Sequence, residues 1–249
     1  MKRLLSHATA AALVAGSLTT AAPALAHDVG GHGPGDRRSA SSTRSTVPSR
    51  VTNRLSRASA ALRRAEERID DGDAAKAVAQ LAAVRRALSS ASRSGLKHVV
   101  AGDDAGPASV GALLGVEHDI AAGAVDNFDG QDGDAVDALA TTLDRALDAR
   151  GEAVAAISAL GESDQGEFSD VLDSTSKDLA DELDAIDEAL SDDTLTSGAK
   201  SALGGARTKV TATRKNVDAR VEALGSSRDE DDGGSWEEGP PPRPWFGLP

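Results

Sequence analysis

The chain has no cysteine and no tyrosine, and aromatic residues make up only 2% of it. Without cysteine it can form no disulfide, thiol nucleophile or thiolate metal site. Three of its five aromatic residues, Trp236, Trp245 and Phe246, lie near the C-terminus. A core must therefore be built from Ala, Leu, Val and Ile, which favours closely packed helices over a sandwich or barrel.

Long hydrophobic runs are also missing. The most apolar stretch, from about residue 8 to residue 22, is shorter than the roughly 20 residues that a membrane-spanning helix needs. Lys2 and Arg3 precede it, and a small-x-small signature ending at Ala26 follows it. This pattern predicts a secretory signal peptide over residues 1–26. We expect a secreted protein, extracellular or associated with the cell envelope, with no transmembrane segment after cleavage.

Catalytic and cofactor motifs are lacking as well. The sequence contains no P-loop, no dinucleotide-binding fingerprint and no His-Glu-x-x-His metal motif. The scarcity of aromatic residues leaves few platforms on which sugars or bases could stack. We therefore predict a protein that is not an enzyme and has no cofactor.

Acidic residues outnumber basic ones by 40 to 27, and the net charge is −13. A strongly negative chain is repelled by the phosphates of nucleic acids, so we expect no nucleic-acid partner. The remaining partner classes are an unknown protein and an anionic envelope polymer.

Composition divides the rest of the chain into three parts. Residues 27–46 are rich in Gly, Ser, His and Arg and predict a flexible tether. Residues 225–249 are acidic and then rich in Pro and Trp, which predicts a disordered tail. The domain between them, residues 47–224, is large enough for one core.

Apolar residues in this domain recur at alternating steps of three and four, which is the spacing of one face of a bundle helix. No alternating strand pattern competes with it. We predict an all-α fold, an up-and-down helical bundle of five or six antiparallel helices with disordered termini. The predicted helices run from about residue 48 to 70, 73 to 95, 107 to 129, 134 to 160, 168 to 190 and 196 to 224. Gly95 is taken as the end of the second helix, with a looser stretch over residues 96–106.

Charge is segregated along the domain. Basic residues predominate up to about residue 100, whereas residues 101–195 hold 25 acidic and 3 basic side chains. An arginine stripe lies one residue away from the apolar face of the first helix: Arg50, Arg54, Arg57, Arg64 and Arg68. In one interpretation, basic helices pack beside acidic ones and rim ion pairs select their order. In the other, the arginine stripe binds an anionic surface, such as a cell-wall polymer or lipid headgroups.

Two places could carry metal chemistry. Cleavage after Ala26 would expose His27 as the first residue, whose amine and imidazole could chelate copper together. This resembles the N-terminal histidine of secreted copper oxygenases, but those enzymes are β-sandwiches. Glu117 falls at the spacing of an apolar face, next to His118. We expect Glu117 to be a hydrogen-bonded group at the edge of the core, with a metal site in the Glu117 region as the alternative.

Two further segments attract attention. Residues 126–134 resemble part of a calcium-binding EF-hand loop, but Val125 and Val136 stand at the first and last ligand positions, so the pattern favours an Asp/Gly turn. The tail carries Trp236, Trp245 and Phe246 among prolines, and exposed aromatics on a stiff extended segment predict docking on a partner or on the bundle itself.

Overall fold

The computed structural model describes residues 46–231, and the side chains of all of these except 162–163 and 226–231. This part of the chain forms six long helices and contains no strand, as the sequence predicted. They are α1 (Ser49–Asp70), α2 (Ala74–Ala101), α3 (Gly106–Asp126), α4 (Gly133–Ser158), α5 (Ser169–Leu190) and α6 (Ser197–Asp231). A short helical turn, Glu162–Gln165, and a 3₁₀ turn, Gly166–Phe168, join α4 to α5.

Helices α3 to α6 form a ring of four, in which α3 packs on α4, α4 on α6, α6 on α5, and α5 on α3. The hairpin of α1 and α2 covers one side of this ring. Helix α2 packs on α3 and α4, and α1 packs on α2 and α3. The fold is therefore a four-helix ring with a two-helix hairpin laid across it. None of the helices in residues 46–231 is long and apolar enough to cross a membrane.

The core is made of small aliphatic side chains, as the composition predicted. Alanines buried to 2% exposure or less, such as Ala58, Ala61 and Ala77, let α1 and α2 approach closely. Among the described residues, two aromatic side chains join the core, Phe128 between α3 and α4 and Phe168 at the start of α5. A core of this kind gains its stability from many close contacts between modest side chains.

The predicted end of the second helix was wrong. Helix α2 continues through Gly95 to Ala101 and ends at Gly102, whose left-handed backbone (φ 61°) closes the last turn. Gly95 is buried at the contact between α2 and α3. A Cβ built on it would lie 3.6 Å from the Ser109 carbonyl oxygen of α3. The glycine therefore marks a close helix–helix approach. His98, placed in a loop by the sequence, lies on the last turn of α2 instead.

The last helix is longer than its apolar stripe predicted. It runs without interruption through Gly204 and Gly205 and ends at Asp231, seven residues after Leu224. Its apolar face, which includes Leu203, Val210 and Val217, is buried against the ring.

Candidate functional site

Charged side chains from three helices meet inside the four-helix ring. Arg150 of α4 and Glu182 of α5 have side chains only 1% and 2% exposed. The guanidinium donates two parallel hydrogen bonds to the carboxylate, from Nη1 to Oε2 at 2.5 Å and from Nη2 to Oε1 at 2.7 Å. This fork-to-fork geometry satisfies both oxygens, which is what makes a buried ion pair tolerable.

His118 of α3 adds a third helix to this pair. Its Nδ1 lies 3.2 Å from Glu182 Oε1, and because a carboxylate only accepts, Nδ1 must donate. Burial raises the pKa of Glu182, but the hydrogen bonds from His118 and Arg150 outweigh it and bring the pKa below its usual value. The same hydrogen bond to Glu182 raises the pKa of His118. The group links α3, α4 and α5 through charge-assisted hydrogen bonds.

Glu117 lies deeper and is unsatisfied. Its residue is 0% exposed, and neither carboxylate oxygen has a hydrogen-bond partner within the described part of the chain. Burial raises its pKa well above the usual value, and the positive charges of Arg150 and Arg145 counter this only in part. The neutral acid form is therefore favoured in the folded protein. The expected hydrogen-bonded side chain at the edge of the core is thus wrong, because Glu117 is fully buried and its carboxyl oxygens have no partner among the described residues.

The contacts of Arg150, Glu182 and His118 connect three helices, and they leave no room for a metal ion. The Arg150 guanidinium occupies the position beside the Glu182 carboxylate that a metal ion would need. Among the described residues, no cluster of three or more Asp, Glu or His side chains could hold a metal ion. A crevice of about 230 Å³ opens between α3 and α5, and its lining includes Gly111, Gly115 and Asp178. Asp178 is half-buried, and burial raises its pKa.

The sequence contained a signal for this cluster. Glu182 falls three residues after Leu179 and four before Ile186, and Arg150 falls three after Leu147. Each therefore occupies a core position of its helix, as Glu117 does. The criterion that identified Glu117, a charged residue at the spacing of the apolar face, would also have identified Arg150 and Glu182. The sequence could not show that Arg150 meets Glu182, because 32 residues separate them and only the helix order brings them together.

The outer face of the α1–α2 hairpin is the second notable feature. Residues 49–65 and all of α2 contain no Asp or Glu. They hold ten basic side chains, but Arg85 donates to the Ala138 carbonyl and to Thr142 of α4 and therefore points into the fold. The other nine are Arg50, Arg54, Arg57, Arg63, Arg64, Lys76, Arg86, Arg93 and Lys97. We call this set the basic face. Within the described residues, Lys76 is the sole member that forms an ion pair, with Asp73 at the helix start.

The predicted arginine stripe is divided between internal contacts and solvent. Arg54 donates to the Ser90 carbonyl at 2.9 Å, Arg64 donates to Gln80 at 3.2 Å, and Arg68 pairs with the adjacent Asp71. Arg50 and Arg57 are exposed. None of the stripe pairs with the acidic helices, because α1 packs on α2 and α3. The interpretation that rim ion pairs order the helices therefore fails for α1.

The ion pairs that this interpretation expects do occur at α6. Lys209 contacts Asp144 and, at 2.9 Å, Asp148 of α4, and Arg207 forms a forked pair with Asp187 of α5. These pairs are exposed, so they contribute to helix order more than to stability. The acidic helices are thus partly neutralised by α6, not by the hairpin.

One groove opens on the basic face. It lies between the first turns of α1 and the last turns of α2 and has a volume of about 450 Å³. Its lining includes Arg50, Arg54, Ser94, Lys97 and His98. No Asp or Glu from the described part of the chain lines it. His98 Nδ1 lies 2.7 Å from Asp103 Oδ2, which ties the histidine to the α2–α3 turn.

The other sequence predictions fall in simpler places. The calcium-like segment is a turn in which Asn127 donates to Gly123 and Asp129 accepts from Thr194. His27, Trp236, Trp245 and Phe246 all lie outside the described residues. No protein-family model, curated protein or solved structure matches this chain.

Proposed function

We propose that this chain is an exported, non-catalytic protein of the cell envelope or its surroundings, which binds an anionic envelope polymer through the basic face. The observation that carries the proposal is the contrast in pairing. Arg207 and Lys209 of α6 pair with acidic helices, whereas Arg50 and Arg57 of α1 point to solvent without an ion pair in the described residues. Unpaired cations on one face attract a polyanion at long range.

The overall charge does not oppose this function. Screening limits the reach of exposed charges to about 10 Å at ordinary ionic strength, so a ligand on the hairpin experiences mainly the local positive charge. Most acidic residues lie in other helices, above all α4 and α5, although Glu66, Glu67 and Asp70 follow the basic face at the end of α1. A dipolar protein of this kind can hold an anionic polymer on one side and present its acidic side outward.

The proposal is tested by charge reversal on two matched surfaces. The first variant carries Arg50→Glu, Arg57→Glu and Arg64→Glu on α1. The control carries Arg207→Glu, Lys209→Glu and Lys215→Glu on α6, which are also exposed and change the net charge by the same amount. Binding of the exported chain to immobilised polyphosphate is measured at low and high salt.

We expect the α1 variant to lose at least about tenfold in affinity, with a weaker salt dependence, and the α6 variant to lose much less. Circular dichroism establishes that both variants remain folded. Equal losses in the two variants would show that net charge alone governs binding, and the proposal would fail.

A further inference from the structure

The groove on the basic face differs from the remainder of that face in shape. Its walls come from both helices of the hairpin, with Arg50 and Arg54 on α1 and Lys97 and His98 on α2. Cations on a flat helix surface meet a ligand from one side, whereas these can approach it from two. The volume of about 450 Å³ lies within the usual range for small-molecule sites.

The groups that line the groove are chemically selective. Arginine presents a planar fork that matches two oxygens of one phosphate, and lysine adds a compact charge. Ser49 and Ser94 supply hydroxyl groups on the two walls, which can bond to neighbouring hydroxyls of a ligand. Arg54 is held in position by its hydrogen bond to the Ser90 carbonyl, so part of the site is already ordered.

We propose that this groove binds one phosphate-bearing, hydroxyl-rich unit, such as a polyol or sugar phosphodiester within a longer chain. The inference rests on the proposed function, since it names the unit that the basic face recognises. The open groove binds a single unit weakly, and a polymer gains affinity because neighbouring units contact Arg57 and Arg64 farther along α1. The groove thus adds selectivity for phosphate to a face that attracts any polyanion.

The test compares two polyanions that differ in their anionic group, a poly(glycerol phosphate) and poly-glutamate of similar length. The groove variant carries Arg50→Ala and Lys97→Ala, both of which are exposed side chains. The matched control carries Arg57→Ala and Arg64→Ala, which remove the same charge outside the groove. Affinity for both polymers is measured by titration calorimetry on the exported chain.

We expect the unaltered protein to prefer poly(glycerol phosphate), and the groove variant to lose that preference by about tenfold, as a lost fork predicts. The control should weaken binding to both polymers by similar factors. An Arg50→Lys variant, which keeps the charge but not the fork, should lose part of the preference.

A groove variant that weakens both polymers equally would overturn the inference and leave the proposed function standing. Failure of the unaltered protein to bind either polymer would refute the proposed function itself. A titration with inorganic phosphate followed by amide NMR shifts locates the site independently. Shifts centred on Arg50, Ser94 and Lys97 support the groove, and shifts spread along the whole of α1 contradict it.

Discussion

The α1–α2 hairpin and the α3–α6 ring use their charges in opposite ways. In the ring, Arg150 and Glu182 are paired inside the core, and Lys209 and Arg207 reach acidic helices at its edge. In the hairpin, Arg68 pairs with the nearby Asp71, and other arginines contact backbone carbonyls and polar side chains or face solvent. Opposite charges in one chain therefore need not pair, because helix order decides which surfaces meet.

The largest expected difference between ring and hairpin is in the stability lost when one arginine is removed from each. Arg150→Ala leaves Glu182 buried without its main partner, and we expect a loss of about 3–5 kcal/mol in the free energy of unfolding. Arg54→Ala removes one hydrogen bond to a carbonyl and should cost only about 1 kcal/mol. Urea denaturation measures both.

A double variant distinguishes a lost pair from lost packing. Arg150→Met with Glu182→Leu removes both charges and keeps apolar volume, so it should be far more stable than Arg150→Ala alone. A double variant as unstable as the single one would mean that the Arg150 stem, rather than its charge, supports the core.

Glu117 is the exception within the ring because its carboxyl group has no partner among the described residues. This should make the stability of the protein depend on pH. The pKa of Glu117 is raised in the folded state, so its carboxyl group opposes folding once the unfolded chain ionises, above about pH 4.5. Stability should therefore fall as pH rises through that range, by up to about 1.4 kcal/mol per pH unit until the folded pKa is reached. Glu117→Gln, which mimics the neutral acid, should remove this fall.

The comparison between Glu117→Gln and the unaltered protein isolates this carboxyl from other groups that titrate nearby. Those facing it are Arg145, Arg150 and Glu152 of α4 and Glu182 of α5. Glu182 contributes the opposite slope, because its lowered pKa gives stability that is lost as pH falls. Parallel stability curves for the variant and the unaltered protein between pH 5 and pH 8 would contradict the buried, unpaired state.

The contact between hairpin and ring should tolerate a methyl group. A Cβ at Gly95 would meet Ser109 and Leu113 at ordinary contact distances of 3.6 and 3.7 Å. Gly95→Ala should thus stabilise α2 by about 0.5–1 kcal/mol, from helix propensity alone. Gly102→Ala is the matched control and should destabilise by about 1 kcal/mol, because Gly102 has a left-handed backbone. Thermal unfolding measures both changes, and a destabilised Gly95→Ala would mean that α2 and α3 pack too tightly at Gly95 to accept a methyl group.

Gly95 also shows how much of the fold can be predicted from the sequence. Periodic apolar stripes predicted all six helices, because each long helix must bury one face. The apolar stripe could not distinguish a glycine that ends a helix from one that lies inside a helix at a helix–helix contact, since both look alike in the sequence. Gly102, seven residues later, is the true end, and its left-handed conformation depends on the turn into α3.

The candidate sites divide in the same way. The arginine stripe was visible as a helical pattern, but its partners were not. The sequence suggested that basic helices would neutralise acidic ones, and the packing gives that role to α6, since α1 lies across α2 and α3. Lys97 and His98 were assigned to a loop, so their position beside Arg50 in one groove emerged only with the extended α2.

The smallest effects should come from exposed charges, and their signs should differ between the regions. Arg207→Glu places a carboxylate beside Asp187, so attraction becomes repulsion and the unfolding temperature should fall slightly. Arg57→Glu places a carboxylate three residues after Arg54, where it relieves repulsion among arginines, so the temperature should stay level or rise. Both shifts should disappear at high salt because the groups are exposed. Shifts of the same sign would mean that the basic face is internally neutralised, and the contrast between hairpin and ring would then have to be abandoned.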